Sequence, residues 1–165
     1  MQRPGCVLLD RDGVINADSP DYIRRPEEWH PLPGSLQALA LLRRAGIPVA
    51  VVINQSGVGR GLLSLADLQR IHRRMLAAVD AAGDAIVSIH YCPHLPGQGC
   101  GCRKPSPGLL LCALRVLRMG AGQALMIGDR ESDMQAARRA GVAGLRVGEG
   151  GDAPNLFAAV RDLLT

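Results

Sequence analysis

The sequence predicts an α/β domain built on a doubly wound, mainly parallel sheet, and three observations predict it. Short apolar runs alternate with amphipathic stretches, each run leads into a polar or Gly-rich segment, and residues that start and stop helices stand at the borders. The first run, 6–9, reads as a strand that opens on Cys6, a small apolar residue here. A helix follows over 35–45 and is stopped by Gly46, and the next strand is 48–53. The helix over 64–82 begins at Ser64, with Asp67 three residues on in the pattern of a capping box. After a strand over 86–90, a helix is expected over 106–119, with Ser106 as N-cap, Pro107 at the first helical position, Cys112 inside and Gly120 as the stop. The pattern then repeats: strand 124–127, helix 131–140 ending at Gly141, strand 144–147, helix 153–164.

Composition narrows the class. A chain of 165 residues with 47% hydrophobic content predicts one domain, 1–165, with a core built from aliphatic residues, since Trp, Tyr and Phe number only 1, 2 and 1. Absence of an apolar run near ~18 residues argues against a membrane span. A net charge of +4 from scattered arginines, without aromatic stacking residues among them, argues against a nucleic-acid binder. A secretory signal is not evident, so a cytoplasmic monomer with reduced thiols is expected.

Residues 92–102 hold Cys92, His94, Cys100 and Cys102, a complete Cys₃His set for a tetrahedral zinc. The bland alternatives are buried thiols beside a surface histidine, or a disulfide. Four ligands in so short a span favour a closed, structural Zn²⁺ site. Such a knot would fix the adjoining cations Arg103 and Lys104, which suits an anionic substrate.

Ligands of doubly wound sheets bind at the carboxyl ends of the strands, and the chain places its chemistry there. Asp10 and Asp12 follow the first strand, Asn54-Gln55-Ser56-Gly57 the second, the cysteine cluster with Arg103 and Lys104 the third, and Gly128-Asp129 the fourth. An aspartate at a strand end can be nucleophile or hard-metal ligand, and a second one two residues on can serve as acid and base. Asp10, Asp12 and Asp129 converging on one point would repel without a cation, and Mg²⁺ fits. Lys104 offers a point charge to phosphate and Arg103 a planar fork, while Asn54, Ser56 and the backbone N–H groups of their turn can bind remaining oxygens. Together these parts describe phosphoryl transfer. Gly57-x-Gly59-x-Gly61 has neither Rossmann nor P-loop spacing, and the acidic residues lack the spacing of an EF-hand.

Asp10-Arg11-Asp12-Gly13, Lys104 and Gly128-Asp129-x-x-x-Asp133 resemble the first, third and fourth motifs of the haloacid dehalogenase superfamily. The resemblance implies a Rossmann-like fold with Asp10 as nucleophile, Asp12 as acid/base, and Mg²⁺ on Asp10, Asp129 and the carbonyl of Asp12, with Asp133 behind them. Asn54-Gln55-Ser56-Gly57-x-x-Arg60-Gly61 and the Cys-x-His…Cys-x-Cys-Arg-Lys-Pro run are similar to the D,D-heptose 1,7-bisphosphate phosphatases. Histidinol-phosphatases, with the same cluster, are the close alternative. The likeness implies a small phosphorylated sugar as substrate, gripped by Asn54, Gln55, Ser56, Arg103, Lys104, Arg130 and the loop carrying Asp18 and Tyr22. No large cap domain is expected. One departure stands out: the superfamily's second motif has Ser or Thr where this chain has Ile53, which removes a hydrogen-bond donor. A slow enzyme, or a phosphate-binding relative without turnover, is the corresponding expectation.

Overall fold

Alternate residues of the first strand point into two different cores, and this fixes the architecture. A computed structural model describes residues 2–83 and 85–165. Among them β1 (Cys6–Leu9), β2 (Val49–Asn54), β3 (Ile86–Cys92), β4 (Ala124–Gly128) and β5 (Ala143–Arg146) form one sheet in the order β3-β2-β1-β4-β5. Every pairing is parallel. Val7 and Leu9 pack on one face with α1 (Ser35–Arg44), α3 (Leu65–Ala82) and α6 (Leu156–Leu164). Cys6 and Leu8 pack on the other with α4 (Gly108–Leu117) and α5 (Glu131–Ala140). Both faces of the sheet are covered, which is why its inner strands β1, β2 and β4 read as continuous apolar runs. Leu9 lies level with Val51 and Ile127, so the residues after β1, β2 and β4 leave the sheet side by side.

Local signals act as read at several ends. Ser64 Oγ accepts from Asp67 N–H at 3.0 Å and the Asp67 carboxylate accepts from Ser64 N–H at 2.8 Å, closing the box at the start of α3. Gly141 ends α5 in the left-handed conformation. Helix α4 departs from expectation. Ser106 N–H instead closes a turn onto Arg103 O (2.8 Å), Pro107 takes the N-cap position, and the helix starts at Gly108. Gly108 N–H reaches Gly101 O at 3.0 Å, and a Cβ at 108 would lie 2.3 Å from that oxygen, so the cysteine loop and not the proline sets the start. The same helix ends at Arg118, itself left-handed, two residues before Gly120. Helix α6 begins after Asn155, whose Oδ1 accepts from Ala158 N–H at 2.9 Å. A single-turn helix, α2 (Ser56–Gly59), was not signalled by any periodicity. No helix among the described residues is long and apolar enough to cross a membrane.

Candidate active site and metal centre

The sheet's carboxyl edge opens into a cleft of about 430 Å³ whose floor carries Asp10 and Lys104. Both are nearly enclosed, at 7% and 3% exposure. Lys104 Nζ donates to Asp10 Oδ1 at 3.0 Å and to the Val52 carbonyl at 2.9 Å, and it lies 2.7 Å from Asp133 Oδ1. Burial works against the ammonium, but the carboxylates of Asp10 and Asp133 outweigh it and hold Lys104 above its ordinary pKa. Burial pushes Asp10 up to about 7, with Lys104 opposing and Asp133 and Asp129 adding to the rise. Asp129 is raised for the same reasons, burial first and Asp133 next.

Carboxylate oxygens of Asp10, Asp129 and Asp133 lie within 4.8 Å of one another. Asp129 Oδ1 is buried without a hydrogen-bond partner, whereas Asp133 Oδ2 accepts from Arg130 N–H at 3.1 Å and Oδ1 faces Lys104. Two carboxylates, one with an orphaned oxygen, against a lysine-paired third are a donor set for a hard divalent cation. The close approach needs Gly13, at φ 81°, because a Cβ there would stand 2.2 Å from Asp129 Oδ2.

Asp12 is turned away from that cluster. Its Oδ1 accepts from Arg11 Nε and Asn16 Nδ2, each at 2.9 Å, and its Oδ2 from Arg11 Nη2 at 3.3 Å. Asn54 has a further role: Oδ1 accepts from Lys104 N–H at 2.9 Å and Nδ2 donates to Lys104 O at 3.0 Å. Its amide holds the Lys104 loop in place while the residue itself lines the cleft. Gln55 and Ser56 line the cleft with Arg60, Arg103 and Arg130. Ser56 Oγ pairs with Tyr22 OH at 3.1 Å, and Tyr22, left-handed at φ 64°, has its phenol lowered by that bond and by Arg60 and Arg103. Asp18 and Arg130 form an exposed ion pair at 2.8 Å over the mouth. Ile53, buried, also lines the cleft. Arg11, Asn16 and Arg60 were given no role from the sequence, although Arg11 and Arg60 stand inside the family motifs.

The second constellation lies beside the first. Cys92 Sγ is 3.1 Å from Cys102 Sγ, 3.7 Å from Cys100 Sγ and 3.3 Å from His94 Nδ1, and Nδ1 is 3.2 Å from Cys102 Sγ. Zinc–sulfur arms of ~2.3 Å imply tetrahedron edges of roughly 3.8 Å, so the four atoms stand close to the spacing such an ion imposes. The Arg103 N–H and neighbouring thiols hold Cys100 down to about 6, while burial pushes Cys92 up to about 12. This cluster is compatible with a metal and lies directly before Lys104.

The family model of HAD-like hydrolases matches residues 101–161, from the loop that carries Lys104 into α6. A D-glycero-beta-D-manno-heptose-1,7-bisphosphate 7-phosphatase of Pseudomonas putida is 47% identical over 135 residues, covering 82% of this chain and 77% of the relative. A D-glycero-alpha-D-manno-heptose-1,7-bisphosphate 7-phosphatase of Mycobacterium bovis is 42% identical, covering 84% and 74%. The crystal structure of D,D-heptose 1,7-bisphosphate phosphatase from B. bronchiseptica, complexed with magnesium and phosphate, superposes with a TM-score of 0.91 at 38% identity, over 99% of this chain and 98% of that one. The chain belongs to the heptose 1,7-bisphosphate phosphatase family of HAD-like hydrolases.

Proposed function

We propose that this protein is a Mg²⁺-dependent phosphatase that removes the 7-phosphate of D-glycero-D-manno-heptose 1,7-bisphosphate, in the supply of heptose for the lipopolysaccharide core. The observation that carries the reading is the buried Asp10–Lys104–Asp133 chain with Asp12 two residues from the nucleophile. Asp10 attacks phosphorus and the bond to the sugar oxygen breaks, while the Asp12 proton passes to that oxygen. Asp12 then takes a proton from water as water attacks the aspartyl phosphate, and the Asp10 carboxylate is regenerated. Lys104 stays charged and offsets the negative charge gathering beside Asp10. Asp10, Asp129 and the Asp12 carbonyl would hold Mg²⁺, which supplies charge neutralisation and orients the phosphoryl group when bound. Arg103, Arg130, Gln55, Ser56, Asp18 and Tyr22 contact the substrate around its phosphate.

The Cys₃His cluster holds a structural Zn²⁺ that sets the course of the chain into Lys104. The reading takes the protein to act as a monomer, which its mass in solution would check. Cysteines that form no disulfide among the described residues and a sugar-phosphate substrate fit the cytoplasm.

Phosphate release from heptose 1,7-bisphosphate and histidinol phosphate, with and without Mg²⁺, tests the reading. Turnover of the heptose ester that needs Mg²⁺ and is lost in Asp10→Asn is expected. Preference for histidinol phosphate would overturn the substrate, and full activity in Asp10→Asn the mechanism.

A further inference from the structure

Beneath Asp12 lies a polar chain that the reaction as written does not use. The alternation of β1 that sends Val7 and Leu9 toward α3 continues past the strand and sends Arg11 the same way. Arg11 is 0% exposed. A fully buried guanidinium is expensive unless its donors are met, and three of its nitrogens are accounted for: Nε and Nη2 on the two oxygens of Asp12, and Nη1 on His72 Nε2 at 3.0 Å. His72 is 8% exposed and stands in the buried stripe of α3 among Leu68, Ile71, Met75 and Val79, where an apolar side chain would be the ordinary occupant.

Arginine has donors only and keeps its charge. The bond to His72 therefore requires Nε2 to accept, so the imidazole is neutral with its proton on Nδ1. Remove that acceptor and Nη1 is left unpaired in a closed core, so the guanidinium would turn and release one oxygen of Asp12. The two oxygens are not held alike. Oδ1 has two donors at 2.9 Å, whereas Oδ2 has one at 3.3 Å and is the oxygen with capacity to carry a proton.

We propose that His72 is a positioning residue which, through Arg11, locks the Asp12 carboxyl so that Oδ2 delivers the proton to the leaving group. The proposal rests on the phosphatase reading above. It assigns a role in proton delivery to a helix residue 61 positions from Arg11.

Leaving groups separate this role from a structural one. An alkoxide must be protonated as it departs, whereas p-nitrophenolate leaves without help, and kcat/KM reports only the steps through the first phosphoryl transfer. For His72→Leu, kcat/KM on heptose 1,7-bisphosphate should fall by about 100-fold, within the range of general acid catalysis, with the loss in kcat and KM little changed. On p-nitrophenyl phosphate it should fall less than about threefold. His72→Gln, whose amide oxygen can accept from Nη1, should recover most of the loss. Should His72→Leu fail to fold, Arg11→Lys carries the test, since it keeps the cation but cannot hold both oxygens, and the same split between substrates is expected. Equal losses on both substrates, or none on either, overturn the proposal. A wild-type protein that hydrolyses neither ester in an Asp10-dependent way overturns the phosphatase reading, and this proposal with it.

Discussion

Ile53 is the residue at which this chain departs from its chemistry. It ends the apolar part of β2, closes the core under α3 and faces the cleft beside Asp10 and Lys104. Nothing in its side chain can donate to a phosphoryl oxygen, and Ser56 Oγ, the nearest hydroxyl in the turn, is paired with Tyr22. A missing donor to developing negative charge typically lowers turnover by about 10²–10³. Ile53→Thr should therefore raise kcat on heptose 1,7-bisphosphate by at least about tenfold. A buried hydroxyl and a lost methyl should lower stability by about 1–2 kcal/mol. Steady-state kinetics beside a denaturant melt checks both signs; a slower variant would mean that backbone N–H groups already do the work of the hydroxyl.

The cysteine loop and helix α4 form one unit, because Gly101 O receives Gly108 N–H and Asn54 clamps the intervening Lys104 on both backbone atoms. Loss of the Zn²⁺ proposed for Cys92, His94, Cys100 and Cys102 would thus act on the partner of Asp10. Zinc removal by a strong chelator, followed by restoration of Mg²⁺, should lower Tm by about 10 °C and activity by about tenfold or more, with recovery on adding Zn²⁺. Unchanged activity in zinc-free protein would separate the knot from the site. The elements also show where sequence was informative and where it was not. Strand ends, the Ser64 box and the Gly141 stop are local, so they were legible. The start of α4 was not, since it depends on contact between Gly101 and Gly108 across the loop. Asp10 and Asp129 were legible as neighbours because their type and strand-end positions coincide, whereas Lys104, in the loop between β3 and α4, was read from the cysteine cluster before it. Arg11 and His72 were not, because an arginine and a histidine that satisfy each other in a core look, one at a time, like surface residues.

Across the whole molecule, the sheet's carboxyl edge concentrates Asp10, Asp129 and Asp133 around one lysine, and burial there favours the protonated forms of Asp10 and Asp129. Asp10 sits at about 7 against an ordinary 3.8, and Asp129 is also raised, with burial the first cause in both. A carboxyl raised in the folded state binds protons more tightly there than when unfolded. Its contribution is largest at low pH and is lost as pH climbs from about 3.8 through about 7. His72 works in the opposite sense. Burial first and Arg11 next lower it from 6.5 to about 4, so the unfolded chain gains a proton that the folded one refuses, and stability falls as pH drops below 6.5. The two trends oppose each other between about 4 and 6.5, while above 6.5 only the carboxyl trend remains. Without divalent cations these groups should thus bring no net gain between about pH 4 and 6.5, and stability should fall as pH climbs from 6.5 through about 7. Mg²⁺ competes with the protons on Asp10 and Asp129 and stabilises by mass action, so the rise in Tm it produces should be larger at pH 8 than at pH 6. Asp129→Asn, which removes one like charge and one ligand, should be more stable than wild type in EDTA at pH 8 and nearly indifferent to Mg²⁺. Differential scanning calorimetry at the two pH values decides the matter: an equal Mg²⁺ shift at both would mean that the cation does not bind where these carboxyls hold their protons.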